Sequence, residues 1–346
     1  MKITQAAIIG CGAIHRLHAE AIQQNSSIHL RAIVEANADS GLILAGRYGC
    51  SYYADYRELL QDQELDVVHI CTPHDLHKEM IIATLAAGKH VFTEKPVALN
   101  CGEIKQIKAA LAQSDARLGV CYQNRLNTSS QAIKSLLESG QLGKMLGIKA
   151  LLTWSRTPDY YQQSGWRGRL SREGGSLLIN QAIHTLDLMQ WFAGGVSAVK
   201  GVTESTFLAD ATEGEDTAVA NMMMTNGARG IFYATNGYTT DSPLLLEIHC
   251  EQGLLQLNDN NLWLIKEGEK QLLASDTLPV KKQKCYWGSS HQLAINQFYH
   301  AVQTPADTPV AANQYVDIHQ AEKSLCLVEA IYRSSQLRRW IMLKEE

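Results

Sequence analysis

Ala6-Ala7-Ile8-Ile9-Gly10-Cys11-Gly12-Ala13-Ile14-His15-Arg16 is the stretch on which the fold turns. An apolar run that starts at Lys2 ends at Ile9, two glycines follow with one residue between them, and an amphipathic stretch begins at Leu17. Strand, glycine turn and helix in that order are the context of a dinucleotide fingerprint. Gly10 permits the tight turn, Gly12 lets the backbone approach a pyrophosphate, and the helix N-terminus stabilises its charge. Gly10, Cys11, Gly12, Ala13 and Ile14 are therefore assigned to the cofactor. His15 stands where the third fingerprint glycine normally allows close helix–strand packing. The stretch has the length of a signal-peptide core, but strand, turn and helix account for all of it.

Glu35 closes the next apolar run, Leu30–Glu35, 23 residues after Gly12. A carboxylate there hydrogen-bonds a ribose 2′-hydroxyl and repels a 2′-phosphate, and no arginine follows in Ala36-Asn37. NAD is thus expected in preference to NADP. Thr72-Pro73-His74 ends a third run and offers a hydroxyl at a cofactor-facing turn, with His77 one helical step on. Taken alone, either histidine reads as a helix cap or a surface residue. His90-Val91-Phe92-Thr93-Glu94-Lys95-Pro96 is a strand that stops in a charged pair clamped by proline. Strand ends of that polarity face the ligand crevice of an open α/β sheet. A lysine between a carboxylate and a rigid φ suits proton transfer there, so Glu94 and Lys95 join the cofactor residues and Lys95 the catalytic ones.

Around these stretches the first 123 residues alternate strands (Lys2–Ile9, Leu30–Glu35, Val67–Cys71, His90–Thr93, Leu118–Tyr122) with helices (Leu17–Gln24, Leu42–Tyr48, Lys78–Ala87, Gly102–Gln113). This pattern predicts a doubly wound parallel sheet in the α/β class. From residue 124 to 346 the rhythm changes. A helix at Ser129–Ser139, a strand at Met145–Ser155 and a polar, aromatic loop at Arg156–Gly175 lead to an apolar helix, Ser176–Phe192. Strands then follow one another from Val196 to about Lys266, with Thr225-Asn226-Gly227 and Asn258-Asp259-Asn260 as turns, before helices at Ser290–Gln303 and Ile318–Leu337. A second, α+β domain with an open, mainly antiparallel sheet is expected, its last helix packing back on the first domain.

The helix Ser176–Phe192 carries Asn180, His184 and Asp187 as one polar stripe, spaced four and then three residues apart. Polar groups on so apolar a helix need partners or a pocket. Histidine is the side chain suited to take a hydroxyl proton near neutral pH during hydride transfer. Asp187 either orients His184 or pairs elsewhere. No cysteine or second histidine stands at ligand spacing, so no metal is expected.

The bulk composition excludes several classes. A formal net charge of −4, from 31 basic and 35 acidic residues, argues against nucleic acid, and Lys281-Lys282-Gln283-Lys284 reads as a solvated loop. No apolar run reaches the roughly 20 residues of a membrane span. Eight cysteines without a Cys-x-x-Cys pair suggest reduced thiols in a cytoplasmic protein.

The Gly10-Cys11-Gly12 turn, Cys71-Thr72-Pro73 with His77, Gly88-Lys89-His90-Val91 leading into Glu94-Lys95-Pro96, and Gly174-Gly175 before His184-Thr185-Leu186-Asp187 together resemble the Gfo/Idh/MocA oxidoreductases over nearly the whole chain. The resemblance implies a Rossmann domain followed by an open-sheet domain whose sheet forms a dimer or tetramer interface. It also implies a reaction centre of lysine, aspartate and histidine, with a lysine–proline bond that is often cis. Lys95 and His184 match two of the three, and Asn180 stands in place of the aspartate. Asparagine orients a hydroxyl but takes no proton, which moves proton transfer to His184 with Lys95. Arg125, Tyr160, Trp166, Arg167, Asn180, His184 and His291, with Tyr286, are expected to line the substrate pocket. The implied reaction is NAD-dependent hydride transfer on a secondary alcohol or ketone of a sugar, polyol or sugar acid. The alternatives are an NAD-using glycosidase on the same scaffold and a non-catalytic NAD- or sugar-sensing regulator.

Overall fold

The computed structural model describes residues 3–276, 290–304 and 314–343. The lysine cluster at 281–284 and Tyr286 lie outside them. Two compact units are present, one of Met1–Tyr122 with His291–Glu322 and one of Gln123–Ser290 with Lys323–Glu346.

The first unit holds a six-stranded parallel sheet of β1 (Thr4–Ile9), β2 (Ile28–Val34), β3 (Ser51–Tyr53), β4 (Val67–Ile70), β5 (His90–Thr93) and β6 (Leu118–Val120), in the order β3-β2-β1-β4-β5-β6. This is a Rossmann sheet, and its order reverses between β1 and β4, where such folds bind ligands. Ala6, Ala7 and Ile8 of the central strand are wholly buried, as expected of a strand covered on both faces. The helices are α1 (His15–Gln23), α2 (Ala38–Tyr48), the single turn α3 (Tyr56–Leu59), α4 (His74–Ala86) and α5 (Cys101–Leu111). Local capping sets their starts: the Asn37 side chain accepts the Ser40 N–H at 2.9 Å, and that of Asn100 accepts the Glu103 N–H at 3.0 Å.

The second unit holds α6 (Thr128–Glu138), two short helices, α7 (Pro158–Gln162) and α8 (Leu170–Glu173), within the stretch expected to be a loop, and α9 (Ile183–Ala193). Its strands are β7 (Met145–Thr153), β8 (Val196–Glu204), β9 (Thr217–Met224), β10 (Arg229–Thr235), β11 (Leu245–Cys250), β12 (Gly253–Asn258), β13 (Asn261–Lys266), β14 (Glu269–Ser275) and β15 (Ile341–Met342). They form one sheet in the order β14-β13-β12-β11-β7-β10-β9-β8-β15. Its pairs are antiparallel except β7 with β10. Buried and exposed residues alternate along β9, the pattern of a sheet with one covered face.

Two helices follow in the chain, α10 (His291–Gln303) in the first unit and α11 (Ile318–Leu337), which runs from the first unit's residues into the second's. Three expectations need correction. The helix beginning at Ser176 opens as a π-helical turn over Leu177–Ala182 and becomes α-helical only at Ile183. His74 and His77 are buried rather than capping or exposed, because α4 turns both inward. Cys101 and Cys326 are disulfide-bonded, whereas Cys11, Cys50, Cys71, Cys121 and Cys250 are free thiols.

Candidate active site

The glycine turn lies at the switch point of the first sheet. Gly10 has φ +89°, and a Cβ there would meet Thr72 Cγ2 at 2.8 Å and the Cys71 carbonyl at 2.9 Å, so the β1 and β4 ends approach closely only through glycine. Gly12 and Ala13 are exposed, and Ile14 begins α1 with no side-chain cap. The first-turn N–H groups therefore keep their donor capacity for an anion. His15 closes over this turn, its Nδ1 2.5 Å from the Gly12 carbonyl and its Nε2 3.1 Å from the Tyr48 hydroxyl.

Glu35 accepts the Cys11 N–H and the Asn37 N–H, each at 3.0 Å, one on each carboxylate oxygen. A carboxylate has about four acceptor sites, so capacity for a ribose hydroxyl remains. Burial, with Glu35 and Cys50 nearby, pushes the Cys11 thiol up to about 12 and keeps it protonated. A cradle that admits no Cβ at Gly10, an uncapped helix start and a carboxylate at the end of β2 fit a dinucleotide.

The turns after β4 and β5 are tied together by His77, whose Nε2 lies 2.9 Å from the Thr72 carbonyl and whose Nδ1 lies 2.7 Å from the Pro96 carbonyl. Burial lowers its pKa although both carbonyls favour the cation, so the neutral ring donates to one of them at a time. Pro73 precedes α4, and Thr72 is half-buried beside it. The Lys95–Pro96 peptide is cis, and Lys95 itself is half-buried.

Glu94 turns inward. Its Oε1 is 3.0 Å from His18 Nε2, and its Oε2 accepts the Lys95 N–H at 3.3 Å. His18 Nδ1 is 2.9 Å from His69 Nδ1, and His69 Nε2 is 2.8 Å from the Tyr299 hydroxyl. Burial pushes the Tyr299 phenol well up and the His69 ring well down, so Tyr299 donates and His69 is neutral. One set of tautomers satisfies every link: Tyr299 O–H to His69 Nε2, His69 Nδ1–H to His18 Nδ1, and His18 Nε2–H to Glu94. Burial alone would raise the Glu94 carboxyl, but the His18 hydrogen bond and the proximity of His18, His291 and Lys95 outweigh it and hold it far below its usual range. His18, Glu94 and Cys121 bring ligand-type atoms within 4.8 Å of one another, yet both His18 nitrogens are already engaged in this chain. His291, the first residue of α10, is buried near them. Burial pulls its pKa down to about 4 against the charge of Glu94, and its Nδ1 has no hydrogen-bond partner among the described residues.

In the second unit every residue from Gly175 to Gln190 is buried except Asn180 and His184, which are half-exposed. A buried, mostly apolar run with two polar side chains at its accessible surface is the arrangement of a pocket lining. Glu215 anchors the start of the run, its Oε1 accepting the Leu178 N–H at 2.7 Å and the Tyr332 O–H at 2.8 Å. A Cβ at Gly175 would strike that same Tyr332 hydroxyl at 2.1 Å.

Asp187 faces away from this surface. It takes the Arg125 Nε and Nη2 at 2.7 Å each and the Ser324 hydroxyl at 2.6 Å, a buried bidentate pair. Of the two roles open to Asp187 in the sequence, the structure gives pairing elsewhere. Arg125, expected in the substrate pocket, is buried on Asp187 with its guanidinium 5.4 Å from the Trp191 ring. In the aromatic loop the Arg167 guanidinium lies 4.9 Å from the Tyr160 ring and from the Trp166 ring.

Three residues that the sequence pattern did not single out complete these arrangements: His18, His69 and Glu173. Glu173 is fully buried at the end of α8, where its Oε2 accepts the Gly168 N–H and its Oε1 the Asn180 amide, each at 2.5 Å. Burial raises its carboxyl to about 7 against those two hydrogen bonds.

A glycine turn at the switch point, with an acidic residue closing the second strand, defines a dinucleotide-binding protein. Two family models match, one described as "Oxidoreductase family, NAD-binding Rossmann fold" over residues 4–122 and one as "GFO/IDH/MocA C-terminal domain" over residues 130–256. The chain belongs to the Gfo/Idh/MocA family of oxidoreductases. A levoglucosan dehydrogenase of Pseudarthrobacter phenanthrenivorans is 30% identical over 254 residues, which is 66% of this chain and 64% of that one. An inositol 2-dehydrogenase of Rhizobium meliloti is 25% identical over 256 residues, 71% of this chain and 73% of that one. Among solved structures, the WlbA dehydrogenase of Bordetella pertussis, in complex with NADH and UDP-GlcNAcA, has a TM-score of 0.85 at 26% identity and 100% coverage of both chains.

Proposed function

We propose that this chain is an NAD(H)-dependent dehydrogenase of a secondary alcohol or ketone in a sugar, polyol or sugar acid. The observation that carries the reading is the pair of accessible polar groups, Asn180 and His184, on an otherwise buried helix. The relatives named for inositol and levoglucosan support the substrate class. Glu35 at the end of β2 favours NAD over NADP by repulsion of a 2′-phosphate.

A dinucleotide held at the Gly10–Ile14 turn and Glu35 would supply a hydride acceptor for the carbon that bears the reacting hydroxyl. Lys95 binds and orients that hydroxyl, and His184 takes its proton. Asn180 positions a neighbouring hydroxyl, and Tyr160, Trp166 and Arg167 offer ring faces and a cation to the rest of the substrate. Two or more copies of the chain associate through the exposed face of the second unit's sheet.

A spectrophotometric screen of inositols, anhydrosugars and uronic acids, with NAD and NADP side by side, tests the reading. Reduction of NAD by at least one of them is expected. Lys95→Met is then expected to lower turnover by about 10²–10⁴-fold with NAD affinity near normal. Unchanged turnover in that variant would overturn the assignment.

A further inference from the structure

In this chain asparagine occupies the position where the family pattern has an aspartate, and an asparagine amide has two unlike ends. Its oxygen accepts and its nitrogen donates, so the orientation of the amide decides what a substrate hydroxyl must do there. Orientation is normally inferred from the hydrogen-bonding partner. Here one partner of the amide nitrogen is a carboxylate. Glu173 lies seven residues before Asn180, at the end of α8, and is fully buried.

The Gly168 backbone N–H is a fixed donor and lies 2.5 Å from Glu173 Oε2. The other oxygen, Oε1, lies 2.5 Å from Asn180 Nδ2. An ionised carboxylate accepts only, so it binds the amide by the nitrogen and turns the amide oxygen to the opposite side. Asn180 is half-exposed, and every residue around it in Gly175–His184 is buried except His184.

We propose that Glu173 is a positioning residue that fixes Asn180 as a one-sided hydrogen-bond acceptor, so that the substrate hydroxyl meeting Asn180 must donate. This rests on the reading of Asn180 as a substrate-positioning group. A buried carboxylate and an amide together thus present the acceptor that the family's aspartate would present by itself. Burial raises the Glu173 carboxyl to about 7 against its N–H donors, so the ionised form that fixes the amide prevails above that pH.

The proposal makes a reciprocal prediction. Glu173→Gln keeps the volume, but its one carbonyl must still take the Gly168 N–H. The new side-chain NH2 then faces Asn180 and draws the Asn180 oxygen toward itself, presenting a donor to the substrate. Asn180→Asp alone places two carboxylates in contact, which cannot both ionise. In the double variant E173Q/N180D, the introduced carboxylate accepts the introduced NH2 with one oxygen and offers the other to the substrate.

With myo-inositol and levoglucosan as probes, each single variant is expected to lower kcat/KM by about 10–100-fold, with the KM for NAD unchanged. The double variant is expected to recover to within about fivefold of wild type. Losses that multiply in the double variant would overturn the proposal, since a merely structural role predicts them. Thermal melts establish that each variant is folded.

A substrate-independent measurement accompanies the kinetics. In protein labelled with ¹⁵N at asparagine, the Asn180 side-chain amide, identified by its loss in N180D, is expected to carry a strongly downfield proton that disappears in E173Q. Retention of that signal in E173Q would overturn the proposal by itself. Should the wild type oxidise neither probe, the amide signal alone decides the positioning claim, and the dehydrogenase reading fails separately.

Discussion

Glu173 is a carboxyl buried where no water reaches it, and that position has a thermodynamic signature. Its pKa is about 7 in the fold against an ordinary 4.5. The folded protein therefore keeps a proton on Glu173 through a window in which the unfolded chain has released it. Stability falls as pH rises through that window and is level on either side. Glu173→Gln removes this ionisation, so the melting-temperature advantage of E173Q over wild type is expected to grow between about pH 5 and about pH 8. The growth corresponds to roughly 3 kcal/mol, and a constant difference in calorimetry would contradict it. Lys95, Asn180 and His184 are legible in the sequence because each sits on a local pattern, a strand end or a polar stripe on an apolar helix. Glu173 is not legible, because it falls within Arg156–Gly175, which reads as a polar, aromatic loop. Its two known donors, the Gly168 N–H and the Asn180 amide, are set by the fold around it. The fate of Asp187 is hidden for the same reason, since Arg125 lies 62 positions earlier and Ser324 137 positions later.

At the scale of elements, the strand and helix types of the first unit follow from apolar periodicity and punctuation, and their ends from caps such as Asn37 and Gly49. The stretch Leu177–Ala182 is different. Apolar spacing does not separate a π-helical turn from an α-helical one, and the Leu178 N–H goes to the side chain of Glu215 from outside the helix. The wider turn reaches the surface at Asn180, in keeping with the frequency of π-bulges at functional sites. Strand β14 escapes the pattern because none of its residues is buried. On the broad sheet, Val202 pairs with Val219, Val219 with Tyr233, Tyr233 with Leu151 and Leu151 with Leu245. Val202, Val219 and Leu151 of this apolar row are 52%, 41% and 37% exposed, with Ile231 at 53% beside it. A row of this kind across five strands is what a subunit interface covers. On the proposed association through this face, Val219→Glu is expected to sediment as smaller species than wild type in analytical ultracentrifugation, without loss of secondary structure. A wild type that sediments as a monomer would refute the interface.

For the molecule as a whole, family membership and the two-sheet architecture are both readable from a few short motifs, because glycine turns and strand-end residues are constrained locally. What is not readable is which later segments complete the first unit. His291 lies near Glu94, Tyr299 closes the histidine chain on His69, and Phe298 packs on Phe92 with ring centroids 5.2 Å apart. The Val120 N–H goes to the Val316 carbonyl at 2.8 Å, and Lys108 pairs with Glu322 at 2.9 Å. Among the described residues, no helix is long and apolar enough to cross a membrane.

The return of α10 to the first sheet sets a timetable for synthesis. On the ribosome, all six strands of the nucleotide domain emerge before the segment that supplies Phe298 and Tyr299. Until then the sheet lacks an aromatic cover of the kind whose truncation costs about 3–5 kcal/mol per ring, and His69 lacks its hydroxyl donor. A fragment of residues 1–123 is accordingly expected to remain loosely packed and to bind NAD weakly, as read by near-ultraviolet circular dichroism and calorimetric titration. Appending residues 290–322 through a flexible linker is expected to restore both. The dinucleotide domain thus matures only after strands β7–β14 have been made, and the chain is expected to engage its cofactor only once residues 290–322 have emerged.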